Sequence, residues 1–178
     1  MRAAAQAAVA RGYGALSIPV ITAAAGVSNQ TFYEHFGSAQ EAFLDAFEAL
    51  TQRALLRVAT ALGGYDNWLE GGTAGIRALL DCFVQDPLFT SLAFFEVSAA
   101  GTAALDKAEV LLTAFTLFLK PDPLPEGVPR QPSQVIVEAI AGGLWAVVEG
   151  EIVAGRLEQL PSLAPELVDI VLVPFGVD

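Results

Sequence analysis

Residues 18–36, IPVITAAAGVSNQTFYEHF, constrain the fold more tightly than any other stretch. They read as two short helices joined by a tight turn. Ser17 can cap the first helix, expected over 19–25, and Pro19 stands near its first position, where a missing N–H costs nothing. Gly26 can take positive φ and end that helix. Ser28 can cap the second, expected over 29–36. Val27, Phe32 and Phe36 fall at spacings that turn them inward. Asn29, Gln30, Thr31, Tyr33 and His35 are left on the outward side or at the exposed N-terminal end. A short helix offering amides, hydroxyls, a phenol and an imidazole outward has the chemistry needed to read a DNA groove. The plainer alternative is a helical hairpin whose aromatic rings merely pack.

The rest of the chain continues in helical periods. Residues 1–11 are an alanine-rich helix closed by Gly12. Residues 38–62 read as one long helix, with Ser38 as cap and Glu41 completing a capping box. Along it Phe43, Phe47, Leu50, Ala54 and Val58 recur at three and four residues. Gly63 and Gly64 stop it. A helix over 65–85 is broken at Asp86-Pro87, because the residue before proline avoids the α region. Another, over 88–100, is expected to turn Leu92, Phe94, Phe95 and Glu96 inward, and one over 102–119 follows Gly101. Residues 121–132 hold five of the ten prolines and read as an extended connector. Residues 133–155 form a strongly apolar helix with Ile136, Ile140, Leu144, Val147 and Ile152 in one stripe. Ala139, Gly142, Gly143 and Ala146 add small surfaces that another helix could approach closely. A last short helix over 165–175 carries Leu167, Ile170, Val171 and Val173. The expected fold is all-α, with about nine helices.

Hydrophobic residues make up 54% of the 178, and charged ones only 16%. That is more apolar surface than one core needs, which suggests a partner subunit or a ligand cavity. No uncharged apolar run approaches the ~20 residues of a membrane helix. The start, MRAAAQ, lacks the apolar core of a secretion signal, and Cys82 is the only cysteine. These features point to a cytoplasmic protein with no disulfide and no membrane partner. The formal net charge of −11 is unfavourable for a partner of DNA phosphates. It is unevenly spread, however. Residues 1–47 carry Arg2 and Arg11 against Glu34, Glu41 and Asp45, so nearly all the acidity lies further along.

No catalytic constellation is apparent, and no cofactor or metal is expected. The single histidine, His35, leaves neither a triad nor a histidine metal cluster for the body. No glycine-rich phosphate loop follows a strand. Carboxylates such as Asp81, Glu96, Glu109 and Glu149 are scattered. What remains is an apolar interior with many aromatic residues, usually a sign of core.

Gly12-Tyr13, Ser17, Ile21, Ala25-Gly26-Val27-Ser28, Thr31-Phe32-Tyr33, His35-Phe36, Ser38 and Glu41 together resemble the tetracycline-repressor (TetR) family of transcriptional regulators. The motif covers about the first quarter of the chain. The resemblance implies an N-terminal three-helix bundle with a helix-turn-helix over 1–47, and a helical ligand-binding and dimerisation domain over 48–178. It implies a homodimer on a palindromic operator, released as a repressor by a small, mostly apolar effector. Asn29, Gln30 and Thr31 would approach base edges or nearby phosphates, Tyr33 and His35 the backbone, and Ser17 would fix the first helix of the motif on it. Phe83, Phe94, Phe95, Phe115 and Trp145 are the expected effector-binding residues. Ile136, Ile140, Leu144, Val147 and Val171 are the expected dimer interface, pairing with their copies as a four-helix bundle. Ala8 stands where the family usually has Phe, Ala39 where it usually has a phosphate-binding Lys, and Pro19 where a polar residue is common. These departures predict a marginally stable module and weak, salt-sensitive operator binding. They also leave a second reading open, a dimeric ligand-binding module with a degenerate DNA-binding part.

Overall fold

The computed structural model describes residues 1–118, 128 and 130–176, with the side chains of all of these but 110–112, 114, 115, 117 and 118. Helices α1 to α10 are Arg2–Arg11, Ile18–Ala25, Asn29–Tyr33, Ala39–Leu62, Trp68–Gln85, Pro87–Ser91, Val97–Ala99, Thr102–Phe118, Gln134–Val153 and Ala164–Leu172. A single π turn, Leu92–Glu96, joins α6 to α7. Counting α6 to α7 as one helix gives nine, and no strand occurs among the described residues. The proline-rich connector expected over 121–132 lies largely outside the described residues.

Two compact units make up the chain. The first comprises Met1–Arg53 and Asp86–Val110. This cut by compactness differs from the functional division expected at residue 47, because α1 packs against both α6 and the π turn. Ala4, Ile21, Phe32 and Ala42 form a small core, with Leu16, Ile18, Phe36 and Ala39 packed against it. Ala8 is fully buried. Tyr13 stacks edge-on against Phe43 with ring centroids 4.9 Å apart.

Local capping rules start and stop these helices. Gly26, at φ 68°, ends α2, and its N–H donates to the Thr22 carbonyl. Ser28 Oγ accepts from the Thr31 N–H at 3.1 Å. Ser38 Oγ accepts from the Glu41 N–H at 3.0 Å, while Glu41 Oε2 accepts from the Gly37 N–H at 2.7 Å. The capping box therefore closes one residue early, on the amide before Ser38. Ser17 occupies the cap position of α2, but its side chain makes no capping bond.

Two expectations about facing are corrected in this unit. Val27 is exposed, because the turn from Gly26 to Ser28 carries it outward. Phe95 is 46% exposed, whereas Leu92, Ala93, Phe94 and Val97 are buried. Leu92, Ala93, Phe94 and Val97 centre the buried face near Ala93, and at ~100° per residue Phe95 lies on the opposite side.

The second unit comprises Ala54–Gln85 and Leu111–Asp178. Here α5 packs against α10 and against a 3₁₀ segment, Leu157–Leu163. Trp68 meets Phe175 at 4.8 Å between ring centroids. A Cβ at Gly71 would lie 2.9 Å from the Leu62 carbonyl oxygen, so α5 can approach the end of α4 only because that residue is glycine. The buried stripe of α9 is Val137, Ile140, Ala141, Leu144 and Val148.

Candidate nucleic-acid interface

The chain presents α3 by its N-terminal end and outer face. Asn29, Gln30, Tyr33 and His35 are exposed, and Thr31 is half-buried. The helix ends at Tyr33, three residues earlier than its periodicity predicts. His35 therefore projects from the turn after the helix, where its N–H and that of Phe36 both donate to the Phe32 carbonyl. Phe32 anchors the helix, 4% exposed, with Tyr33 edge-on at 5.8 Å and Phe36 at 5.4 Å between centroids. Packing beneath thus leaves the Tyr33 phenol, 61% exposed, pointing outward.

Asn29 is the most defined of the outward groups. Its Oδ1 lies 3.1 Å from the hydroxyl of buried Thr22, whose single proton has a second acceptor in the Pro19 carbonyl at 3.3 Å. With that proton turned to Asn29, the amide oxygen faces inward and its NH₂ is left to donate outward. Thr31 is committed differently, with its hydroxyl 3.1 Å from Ser28 Oγ as part of the cap. Gln30 makes neither contact and is set by the helix alone. Ser17 is half-buried at the start of α2. The periodic pattern gave no sign of Thr22, because a hydroxyl seven residues before its partner follows no helical spacing across a turn.

The residues expected to bind an effector are not gathered into one unit. Phe83 and Trp145 meet edge-on in the second unit, with centroids 6.3 Å apart. Phe94 is buried and Phe95 exposed in the first. The side chain of Phe115 lies outside the described residues. A groove of about 460 Å³ runs along α5, lined by Tyr65, Leu69, Glu70, Thr73, Ala74, Arg77, Ala78 and Asp81. None of the five expected residues lines it.

The expected interface residues also divide. Ile140, Leu144 and Val171 are buried within their own unit, so they have little surface left for a second subunit. Ile136 and Val147 are 43% and 42% exposed. They share an outer face of α9 with Ala139, Gly143, Ala146 and Gly150. Beside Gly142, Gly143 and Gly150 a Cβ would meet only open space.

Residues 1–46 match the family model of bacterial regulatory proteins, tetR family. No curated protein matches the chain in sequence. Solved structures do match in fold. The regulator FadR of Bacillus subtilis, in complex with stearoyl-CoA, superposes with a TM-score of 0.80 at 15% identity, covering 99% of this chain and 97% of that one. The fatty acid degradation regulator FadR of Bacillus halodurans gives 0.78 at 16%, covering 96% and 91%. The TetR-family regulator PfmR of Thermus thermophilus gives 0.65 at 19%, covering 95% and 91%. The chain thus carries the module of the bacterial tetR-family regulatory proteins over residues 1–46 and has the fold of the TetR-family transcriptional regulators.

Proposed function

We propose that the protein is a cytoplasmic homodimeric transcriptional repressor, with Asn29, Gln30 and Thr31 at base edges and Ser17, Tyr33 and His35 at phosphates. The observation that carries this reading is the fixed outward amide of Asn29 at the exposed start of α3. Phosphate contacts set the register of such a helix, and base contacts set its sequence preference. Two copies are needed to place two such helices one DNA turn, ~34 Å, apart. The outer face of α9, centred on Ile136, Gly143 and Val147, supplies the apolar surface for that pairing.

The effector is an apolar chain, of the long acyl type carried by the stearoyl-CoA bound to B. subtilis FadR. Phe83 and Trp145, which meet edge-on in the second unit, are the aromatic pair we assign to its site. Binding it releases DNA only if the released state binds it more tightly, and a 5–150-fold effect needs ~1–3 kcal/mol of such preference.

Selection of random duplex DNA on the purified chain tests the DNA reading. The expected product is a palindrome bound more weakly as salt rises, since binding releases counterions. Enrichment of no palindrome would favour the degenerate-module reading, which the slightly acidic balance of residues 1–47 and Ala39 already support. Titration of the complex with long-chain acyl-CoA, and with CoA alone, tests the effector. Equal release by both would rule out recognition of the apolar chain.

A further inference from the structure

The peptide N–H of Tyr13 donates to Glu96 Oε2 at 2.6 Å, across 83 residues of sequence. Tyr13 opens the 3₁₀ turn Tyr13–Ala15, just after Gly12 at φ 79°. Its N–H is one of the first-turn donors that no helical carbonyl can satisfy. Glu96 is the last residue of the π turn, and its half-buried carboxylate reaches this donor. The other end of the same helical stretch is also anchored by a carboxylate. Asp86 caps α6 through the Phe89 N–H and pairs with Arg53 of α4. Residues 86–96 thus form a strap fixed to α4 at one end and to the turn before α2 at the other.

We infer that Glu96 is a positioning residue for DNA reading. Its carboxylate holds the turn that leads into α2. Thr22 on α2 in turn fixes the Asn29 amide at 3.1 Å. The line of contacts runs from Glu96 through the Tyr13 N–H and α2 to the outward NH₂ of Asn29. A carboxylate on a backbone N–H is a charge-assisted bond, roughly twice as strong as a neutral one, so a neutral oxygen at full reach keeps part of it. The inference rests on the DNA reading above and adds a residue far from the recognition helix in sequence.

The test uses three variants of the full chain, Glu96→Ala, Glu96→Asp and Glu96→Gln, with two readouts. One is amide hydrogen exchange at residues 12–16; the other is affinity for the operator selected by the wild type. Glu96→Ala and Glu96→Asp, which lack the reach, should speed exchange at these amides while the core amides of α4 stay protected. Both should lose about tenfold in operator affinity, ~1.4 kcal/mol. Glu96→Gln keeps a neutral oxygen at full reach and should restore part of both. Unchanged exchange and affinity in Glu96→Ala would overturn the inference while leaving the DNA reading intact. Faster exchange with unchanged affinity would overturn it too, by making the bond purely structural. A wild type that selects no operator would remove the DNA reading itself, and this role with it.

Discussion

The short helix α3 and the late helix α9 both present side chains that their own units leave uncovered, and the chemistry of the two faces is opposite. On α3 the outward groups are an asparagine, a glutamine, a threonine and a tyrosine, two of them oriented by hydrogen bonds to Thr22 and Ser28. On α9 they are Ile136, Ala139, Gly143, Ala146 and Val147, which have no side-chain donors or acceptors to orient. A partner of the first face is recognised by directional bonds, so alignment matters more than area. A partner of the second is recognised by close approach and apolar burial, at roughly 25 cal/mol per Å². The comparison is broken most directly by placing a charge on the apolar face. Val147→Asp should leave the fold intact, since Val147 is already partly exposed. It would bury an unpaired carboxylate in a dimer paired through this face. Operator binding should fall ~100-fold or more as the two linked half-site contacts become independent. Sedimentation would show a monomer, and a dimer of wild-type affinity would move the interface elsewhere.

The matching change on α3 is Asn29→Ala. With its oxygen turned inward, the amide has only its NH₂ to offer a base, a contact below the ~1–3 kcal/mol of a bidentate pair, so the operator selected by the variant should lose part of its preference at one symmetric pair of positions. Thr22→Val leaves the amide in place but frees it to rotate, and should produce a weaker form of the same relaxation. Equal affinity for all bases in both wild type and variant would reduce Asn29 to a phosphate contact.

How much of this was legible in the sequence depends on how local each signal is. Gly26, Ser28, Ser38 and Glu41 act within four residues, and each ends or begins a helix as its residue type requires. The outward set on α3 was legible because Phe32 fixes the inward side of so short a helix. The face of α9 was not. That helix is apolar nearly all round, so a stripe at 136, 140, 144 and 147 fits its periodicity as well as the buried stripe at 137, 140, 141, 144 and 148. Only packing against α10 and the Leu157–Leu163 segment decides between them. The π turn was invisible for another reason: one inserted residue leaves no composition signal. Periodicity turned Glu96 inward but gave no sign of its partner 83 residues away, nor of the partner of Thr22 across a turn, because no local pattern encodes either.

Neighbouring glycines in α5 sharpen the same lesson for a buried contact. A Cβ at Gly71 would sit 2.9 Å from the Leu62 carbonyl oxygen, whereas one at Gly72 would meet nothing within 4 Å. Gly71→Ala should therefore destabilise the protein by ~1–3 kcal/mol through overpacking against backbone. Gly72→Ala should stabilise it by ~0.5–1 kcal/mol by removing unfolded-state freedom. Urea melts at constant m-value would measure both. Shifts of the same sign would mean that the close approach of α4 and α5 is not set at Gly71.

Thr51 tests the contrast at its weakest point, a directional group placed in an apolar setting. It lies on the buried side of α4 and is 4% exposed, and its hydroxyl has no hydrogen-bond partner among the described residues. Threonine in a helix ordinarily satisfies its hydroxyl on a carbonyl one turn back, as Thr60 does on Leu56 at 2.8 Å. An unsatisfied buried hydroxyl costs ~1–3 kcal/mol. Valine keeps the branched shape and a similar helix propensity while removing the polar atom. Thr51→Val should thus raise stability by about 1 kcal/mol, a rise of ~2–4 °C in Tm for a chain of this size. A fall would mean that the hydroxyl is satisfied by a buried water, which needs at least two polar partners around it. In that case the inner face of α4 would be a directional surface like that of α3, and burial alone would not separate the two regions.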